Sequence, residues 1–260
     1  MVGSVVTMGA VLFTPTVSAT QFSAAGESAE GPPLSPGAIG SVEPSPVHLS
    51  FDGYTWSVKN STSPIGPGPN LFDASGPYVD QSGALHLRIL KTKLGWESSE
   101  VILEPSLGYG TYMWTLRGPL STLDPNVVLA LFTYDSSDTS PSNRELDFEA
   151  SRFADTHSSN AQYVVQPYTT PGNMRQFPLQ SAVLTKIIMT WKRGSVVFSG
   201  NTVRAEKTVP LPTWKNTSSS VPDHGAEQIH MSLWLFQGVP PSNGMPVSVT
   251  VTSFSFRPAT

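Results

Sequence analysis

The chain has 260 residues, of which 13% are charged, and its formal net charge is -4. Because it offers no basic field to attract a phosphate backbone, we expect no nucleic-acid partner. The absence of cysteine excludes disulfides, thiolate metal sites and cysteine nucleophiles. Once the ends are set aside, the length suits one large all-β domain better than two small ones.

Residues 1–22 have the pattern of a secretory signal peptide. Residues 1–19 carry no charged side chain, and Val17-Ser18-Ala19 supplies the small residues expected before a signal-peptidase cut. The apolar stretch 5–13 is too short to span a bilayer. Because a Lys or Arg near the start is missing, a disordered apolar tail is the alternative. We predict a secreted or extracellular protein, periplasmic and cell-wall locations included, with no membrane association after processing.

Residues 23–46 are dominated by Pro, Gly, Ser, Ala and Glu. Such a composition buries little surface and predicts an extended linker. The folded domain is therefore expected over residues 47–260, and we expect it to be a monomer.

The prolines and glycines of this domain separate short segments rich in β-branched and aromatic residues. The predicted strands are 84–90, 110–116, 127–134, 161–166, 186–191, 195–198, 228–236 and 247–256. No helical periodicity intervenes, so the pattern predicts a two-sheet antiparallel β-sandwich of the jelly-roll type with an open substrate cleft. The alternation in the last strand changes phase at Thr252-Ser253, which predicts a β-bulge there.

The segment Glu145-Leu146-Asp147-Phe148-Glu149 alternates acids with large apolar residues. On a strand, the three acids would share one face while Leu146 and Phe148 enter the core. Like charges side by side on one sheet face repel and weaken the strand, so they indicate a functional requirement.

Cleavage of a glycosidic bond with retention needs a carboxylate nucleophile and a carboxylic acid on opposite sides of the bond. We predict that Glu145 is the nucleophile, Glu149 the acid/base and Asp147 a modulator that keeps one glutamate protonated near neutral pH.

Two less specific interpretations stay open for the acidic segment: three solvated acids on an exposed strand, or a calcium site built from hard oxygen ligands. The five histidines show no paired spacing for zinc, and no H-E-x-x-H occurs. We therefore predict no cofactor and no catalytic metal, with a structural calcium ion as the remaining alternative.

The acidic segment resembles the signature strand of glycoside hydrolase family 16. Other segments resemble that family in the expected order: 108–112, 132–134, 189–198 and 231–234. The resemblance covers roughly residues 50–257 and implies a curved jelly roll that acts with retention. The acid spacing is similar to that of lichenases, and the resemblance assigns Glu145, Asp147 and Glu149 the roles given above.

The resemblance also implies positions that hold glucose units: Phe132, Tyr134, Gln166, Tyr168, Ser232 and Trp234. Gln166 and Ser232 stand where asparagines are usual. Arg152, just beyond the acids, fits either the cleft or an ordinary surface charge.

Together these features predict a retaining endo-acting glycoside hydrolase with a polysaccharide substrate, a 1,3-1,4- or 1,3-linked β-glucan being favoured. The alternatives are a carbohydrate-binding jelly roll without activity and a transglycosylase that uses the same acid pair.

Overall fold

The computed structural model describes residues 46–260, which are built mainly of β-strands. The predicted signal peptide and nearly all of the predicted linker lie outside these residues. The strands are β1 His48–Phe51, β2 Tyr54–Val58, β3 Leu71–Phe72, β4 Tyr78–Val79, β5 Leu85–Lys91, β6 Trp96–Leu103, β7 Gly110–Arg117, β8 Val127–Tyr134, β9 Leu146–Ala150, β10 Ala161–Val165, β11 Met174–Phe177, β12 Leu184–Lys192, β13 Ser195–Arg204, β14 Lys207–Pro210, β15 Trp214–Asn216, β16 Gln228–Leu235 and β17 Val247–Pro258. Two 3₁₀ turns lie at Leu120–Thr122 and Phe236–Gly238.

The strands form two stacked sheets. The front sheet has the order β1-β2-β6-β16-β8-β9-β10-β11. The back sheet has the order β4-β5-β17-β7-β12-β13, and both β14 and β15 pair with β13. The start of β6 pairs with β5 and, in parallel, with β3, which joins the two sheets. This is the predicted jelly-roll sandwich.

Alternating side chains explain why these segments form a sandwich. In β5 the residues Leu85, Leu87 and Ile89 are buried, whereas the side chains between them are more exposed. One continuous core lies between the sheets and includes the fully buried Trp191. The sequence also favours a core position for this residue.

The two faces of β8 and β9 lie in different environments. Leu129 and Leu131 of β8 and Phe148 of β9 point into the core. Ala130 and Asp147, one position out of phase, are buried but stand outside that core on the outer face of the front sheet. This outer face carries the predicted acids.

The predicted bulge in the last strand is confirmed, because the pairing of β17 with β7 shifts register between Val251 and Ser253. Of the residues that the structure describes, none belongs to a helix long and apolar enough to cross a membrane.

Candidate active site

The three acids meet on the outer face of the front sheet. Asp147 and Glu149 lie on β9, and Glu145 directly precedes that strand. Asp147 is only 2% exposed, whereas Glu145 and Glu149 are partly buried. Leu146 and Phe148 enter the core between them, as the alternation predicts.

A tight turn sets the position of Glu145. The two preceding residues, Asn143 and Arg144, have φ values of 44° and 49°, in the left-handed region that non-glycine residues rarely adopt. Thr133 of β8 secures both sides of the turn, since its Oγ1 donates to the Arg144 carbonyl at 2.7 Å and accepts from the Leu146 N–H at 3.0 Å.

The Arg144 side chain ties this turn to the beginning of its own loop, between β8 and β9, and to the loop that precedes β16. Its Nη1 lies 2.8 Å from the Oδ2 atom of the buried Asp135 and 3.3 Å from the Oδ2 atom of Asp138. Its Nε donates to the Asp223 carbonyl at 3.2 Å. Because the same side chain holds both loops, the backbone beside Glu145 has little freedom to move.

The environment of the acids raises their pKa values. Burial raises the pKa of Glu145 to about 7, the charge of Glu149 adds to the rise, and a hydrogen bond with Asp147 opposes it. Burial likewise raises the pKa of Glu149 to about 7, against a hydrogen bond from Gln162. Burial and both glutamate charges raise the pKa of Asp147 well above its usual value. The hydrogen bond that they share raises the pKa of Asp147 and lowers that of Glu145, so Asp147 is the donor and Glu145 the acceptor in this pair.

Three glutamines support the acids: Gln162 on β10, Gln166 directly after β10 and Gln176 on β11. Gln162 Nε2 donates to Glu149 Oε2 at 2.6 Å, and Gln176 Nε2 donates to Gln162 Oε1 at 3.2 Å. This second bond fixes the amide so that its N–H points to Glu149. Gln166 Nε2 lies 3.5 Å from Asp147 Oδ2.

Strand pairing places the other predicted residues of β8 and β16 beside the acids. Phe132 is directly opposite Asp147. Tyr134 lies two positions further along β8, half-buried; burial and then the charge of Glu145 raise its pKa. On β16, Trp234 is partly exposed and opposite Val128.

Three of the residues predicted to line the substrate cleft form hydrogen bonds with other groups of the protein. Ser232 is fully buried and donates to Glu100 Oε2 at 3.0 Å. Arg152 donates to two carbonyls of its own loop, at 3.2 Å and 2.6 Å. Tyr168 follows the Gln166–Pro167 bond, and its backbone N–H donates to Gln166 Oε1 at 2.9 Å.

The sequence prediction missed Gln162, Gln176, Glu100 and His230, all of which lie on or beside this face. Gln162 could have been found, because it alternates with Tyr163 in a predicted strand. Within residues 46–260 no group of three or more His, Asp or Glu side chains is arranged to hold a metal ion.

Chemically, the site joins two carboxyl groups with pKa values near 7 to a third acid whose pKa is also raised. Groups that titrate near neutral pH are suited to donate and accept protons there. Partly exposed aromatic rings on the neighbouring strands offer apolar faces for a ligand such as a sugar.

No protein-family model matches the sequence, and no curated protein matches it. Solved structures do match the fold. A lichenase (β-1,3-1,4-glucanase) from a mouse hindgut metagenome is 15% identical, with a TM-score of 0.61 over 81% of this chain and 96% of that one. A Bacillus licheniformis β-glucanase is 16% identical, with a TM-score of 0.58 over 81% and 97%.

A third similar structure is described as an immunostimulatory antigen and pseudo β-1,3-glucanase of Mycobacterium tuberculosis. It is 17% identical, with a TM-score of 0.58 over 82% of this chain and 98% of that one. The same fold thus occurs in proteins described as glucanases and in one described as a pseudo-glucanase. This chain has the lichenase-like β-sandwich fold of glycoside hydrolase family 16 structures.

Proposed function

We propose that this protein is a retaining endo-acting glycoside hydrolase that cleaves a β-linked polysaccharide by double displacement. A 1,3-1,4- or 1,3-linked β-glucan is the favoured substrate. The observation that carries the proposal is the alignment of Glu145, Asp147 and Glu149 on one face, with the pKa of both glutamates at about 7.

In the first step the ionised carboxylate of Glu145 attacks the anomeric carbon. Glu149 gives its proton to the departing glycosidic oxygen, and a glycosyl ester on Glu145 forms. Asp147 donates a hydrogen bond to Glu145 throughout. This bond orients the nucleophile and later stabilises it as a leaving group.

In the second step Glu149 acts as a base. Esterification removes the negative charge of Glu145, which had disfavoured a second ionised carboxylate nearby, so the pKa of Glu149 falls. Glu149 then takes a proton from water, whose oxygen attacks the anomeric carbon and frees Glu145. If a second sugar replaces water here, the same residues give transglycosylation.

The test is a panel of polysaccharides with product analysis: mixed-linkage glucan, 1,3-glucan, galactan and xyloglucan. Wild type is expected to release oligosaccharides of the original anomeric configuration, and Glu145→Gln to release none while unfolding at a temperature no lower than that of wild type. Glu206→Gln, an exposed change on the β13–β14 turn, is the matched control. Normal turnover by Glu145→Gln would refute the proposal.

The second candidate function is a carbohydrate-binding jelly roll without activity. It is favoured by the similarity of the fold to a protein described as a pseudo-glucanase. In that case every polysaccharide would remain uncut, and any binding would be unchanged by Glu145→Gln.

The proposal includes export, based on residues 1–22, which carry no charged side chain and contain the apolar stretch 5–13. N-terminal sequencing of protein recovered from outside the producing cells would test it, and a mature chain that retained these residues would contradict it.

A further inference from the structure

A second polar cluster lies on the outer face of the front sheet, two or more strands away from the acids. It consists of Lys59, Glu100, His230 and Ser232, which we call the Glu100 cluster. Glu100 is 1% exposed, and Ser232 is fully buried. Burying a carboxylate is costly unless charges and hydrogen bonds compensate it.

Four contacts compensate Glu100. Its Oε1 lies 2.8 Å from His230 Nδ1 and 3.2 Å from Lys59 Nζ, and its Oε2 lies 3.0 Å from Ser232 Oγ and 3.1 Å from Lys59 Nζ. Although burial acts to raise it, the hydrogen bond from His230 and the charge of Lys59 hold the pKa of Glu100 below its usual range. Glu100 is therefore ionised, and its acceptor sites are filled by protein groups.

The ionised Glu100 fixes which nitrogen of the His230 ring donates to it. Because Glu100 can only accept, Nδ1 of His230 must carry the proton that it donates. In the neutral ring Nε2 is then an acceptor. Among residues 46–260, Nε2 has no hydrogen-bond partner.

Aromatic packing holds the ring in place. His230 stacks on Phe132 with ring centroids 4.8 Å apart, and the edge of Tyr134 approaches at 5.7 Å. The side chain remains 9% exposed. Since side chains stand roughly perpendicular to a sheet, Nε2, the distal nitrogen, lies further out than Nδ1.

Strand pairing relates this nitrogen to the acids. Asp147 is opposite Phe132, and Phe132 is opposite His230. Adjacent strands are about 4.8 Å apart, so His230 lies about 10 Å from Asp147 across the sheet. A polysaccharide that crosses the strands over Asp147 would also pass over His230. The sugar unit above His230 would then be some distance along the chain from the bond being cut.

We propose that His230 Nε2 accepts a hydrogen bond from a hydroxyl group of a neutral sugar unit, and that Glu100 and Lys59 position its ring. The proposal rests on the function proposed above and narrows its substrate class. Neutral sugars are expected because the nucleophile Glu145 is ionised, whereas the positive charge of Lys59 is already paired with Glu100. An acidic sugar would be repelled.

Binding to the Glu145→Gln variant tests the contact without turnover. We would measure the affinity for mixed-linkage glucan oligosaccharides by calorimetry in Glu145→Gln and in the double variant with His230→Phe, which keeps the packing against Phe132. A loss of one hydrogen bond predicts about tenfold weaker binding. His86→Phe in the same background is the matched control, since His86 is also paired with an acid, 2.8 Å from Asp80, but on the back sheet.

Unchanged affinity in the His230→Phe double variant would overturn the inference, as would tighter binding of polygalacturonate than of neutral glucan. His230→Gln keeps an acceptor and a donor, so it should recover part of the lost affinity. If it folds but binds no better than His230→Phe, the acceptor role is wrong.

Turnover separates this inference from the proposed function. In the active protein, His230→Phe should raise KM about tenfold and leave kcat nearly unchanged. A fall in kcat alone would contradict a binding role. Wild type without any hydrolysis would overturn the proposed function, and the binding result on Glu145→Gln would still decide the role of His230.

Discussion

The raised pKa values of the acids make stability depend on pH, which can be tested without a substrate. In an unfolded chain a glutamate titrates near 4.5, whereas Glu149 in the folded protein titrates near 7. The folded state therefore holds a proton that the unfolded state has released between these values. The free energy of unfolding is highest below about pH 4.5 as far as this group is concerned, and it falls as pH rises through 7.

The magnitude follows from the size of the shift. A rise from 4.5 to about 7 corresponds to about 3 kcal/mol at 1.36 kcal/mol per unit. Because the side chain of Glu149 is partly exposed, solvent screening reduces this figure, and we expect about 1–2 kcal/mol. Glu149→Gln, which resembles the protonated acid, should be more stable than wild type by this amount at pH 8 and by much less at pH 5, where the folded wild type still holds its proton.

Urea unfolding followed by tryptophan fluorescence at both pH values measures the difference. Glu206→Gln, on an exposed turn, is the control and should shift the unfolding free energy equally at pH 5 and pH 8. If Glu149→Gln also gave the same shift at both pH values, burial would not be raising the pKa of this acid, and the electrostatic account of the site would be wrong.

Two further predictions concern residues that support the buried acids, and a third concerns the packing of the back sheet. Lys59→Met should lower the free energy of unfolding by about 3 kcal/mol, since Glu100 loses its cation, and adding Glu100→Gln should restore most of the loss in urea unfolding. Gln162→Leu removes a bond that lowers the pKa of Glu149, so the alkaline limb of the pH–kcat profile should move to higher pH; a move to lower pH would contradict this. Gly110→Ala should cost about 1–3 kcal/mol in thermal unfolding, because an added Cβ would meet an aromatic ring and a carbonyl oxygen of β17; an unchanged melting temperature would show that β17 yields.

Much of the fold could be predicted from the sequence because most strands alternate or are continuously apolar. The prediction for β8 has the same bounds as the structure, and the bulge at Thr252-Ser253 follows from a change of phase. β6 was missed. Its residues 97–100, Glu-Ser-Ser-Glu, are all buried, yet four consecutive polar residues have neither the alternation nor the apolar character of a core strand.

The candidate site likewise contains residues that the sequence reveals and residues that only the fold brings together. The three acids are visible in the sequence because β9 brings them together within five residues. Their supporting residues are not local: Glu100 contacts Lys59 across 41 residues and His230 across 130. A lone buried acid carries no sequence signal of its partners, because pairing is fixed only when distant strands align.

The missed residues and the acids share one physical requirement. A sheet face that holds ionisable groups at raised pKa values needs burial, and burial makes each polar or charged group costly unless it finds a partner. Glu100 meets this requirement with Lys59 and Ser232, and Glu149 meets it with Gln162. If the acids were ordinary solvated surface charges, such partners would add little stability. Their presence on strands on either side of β8 and β9 is what distinguishes a built site from an accidental run of acids.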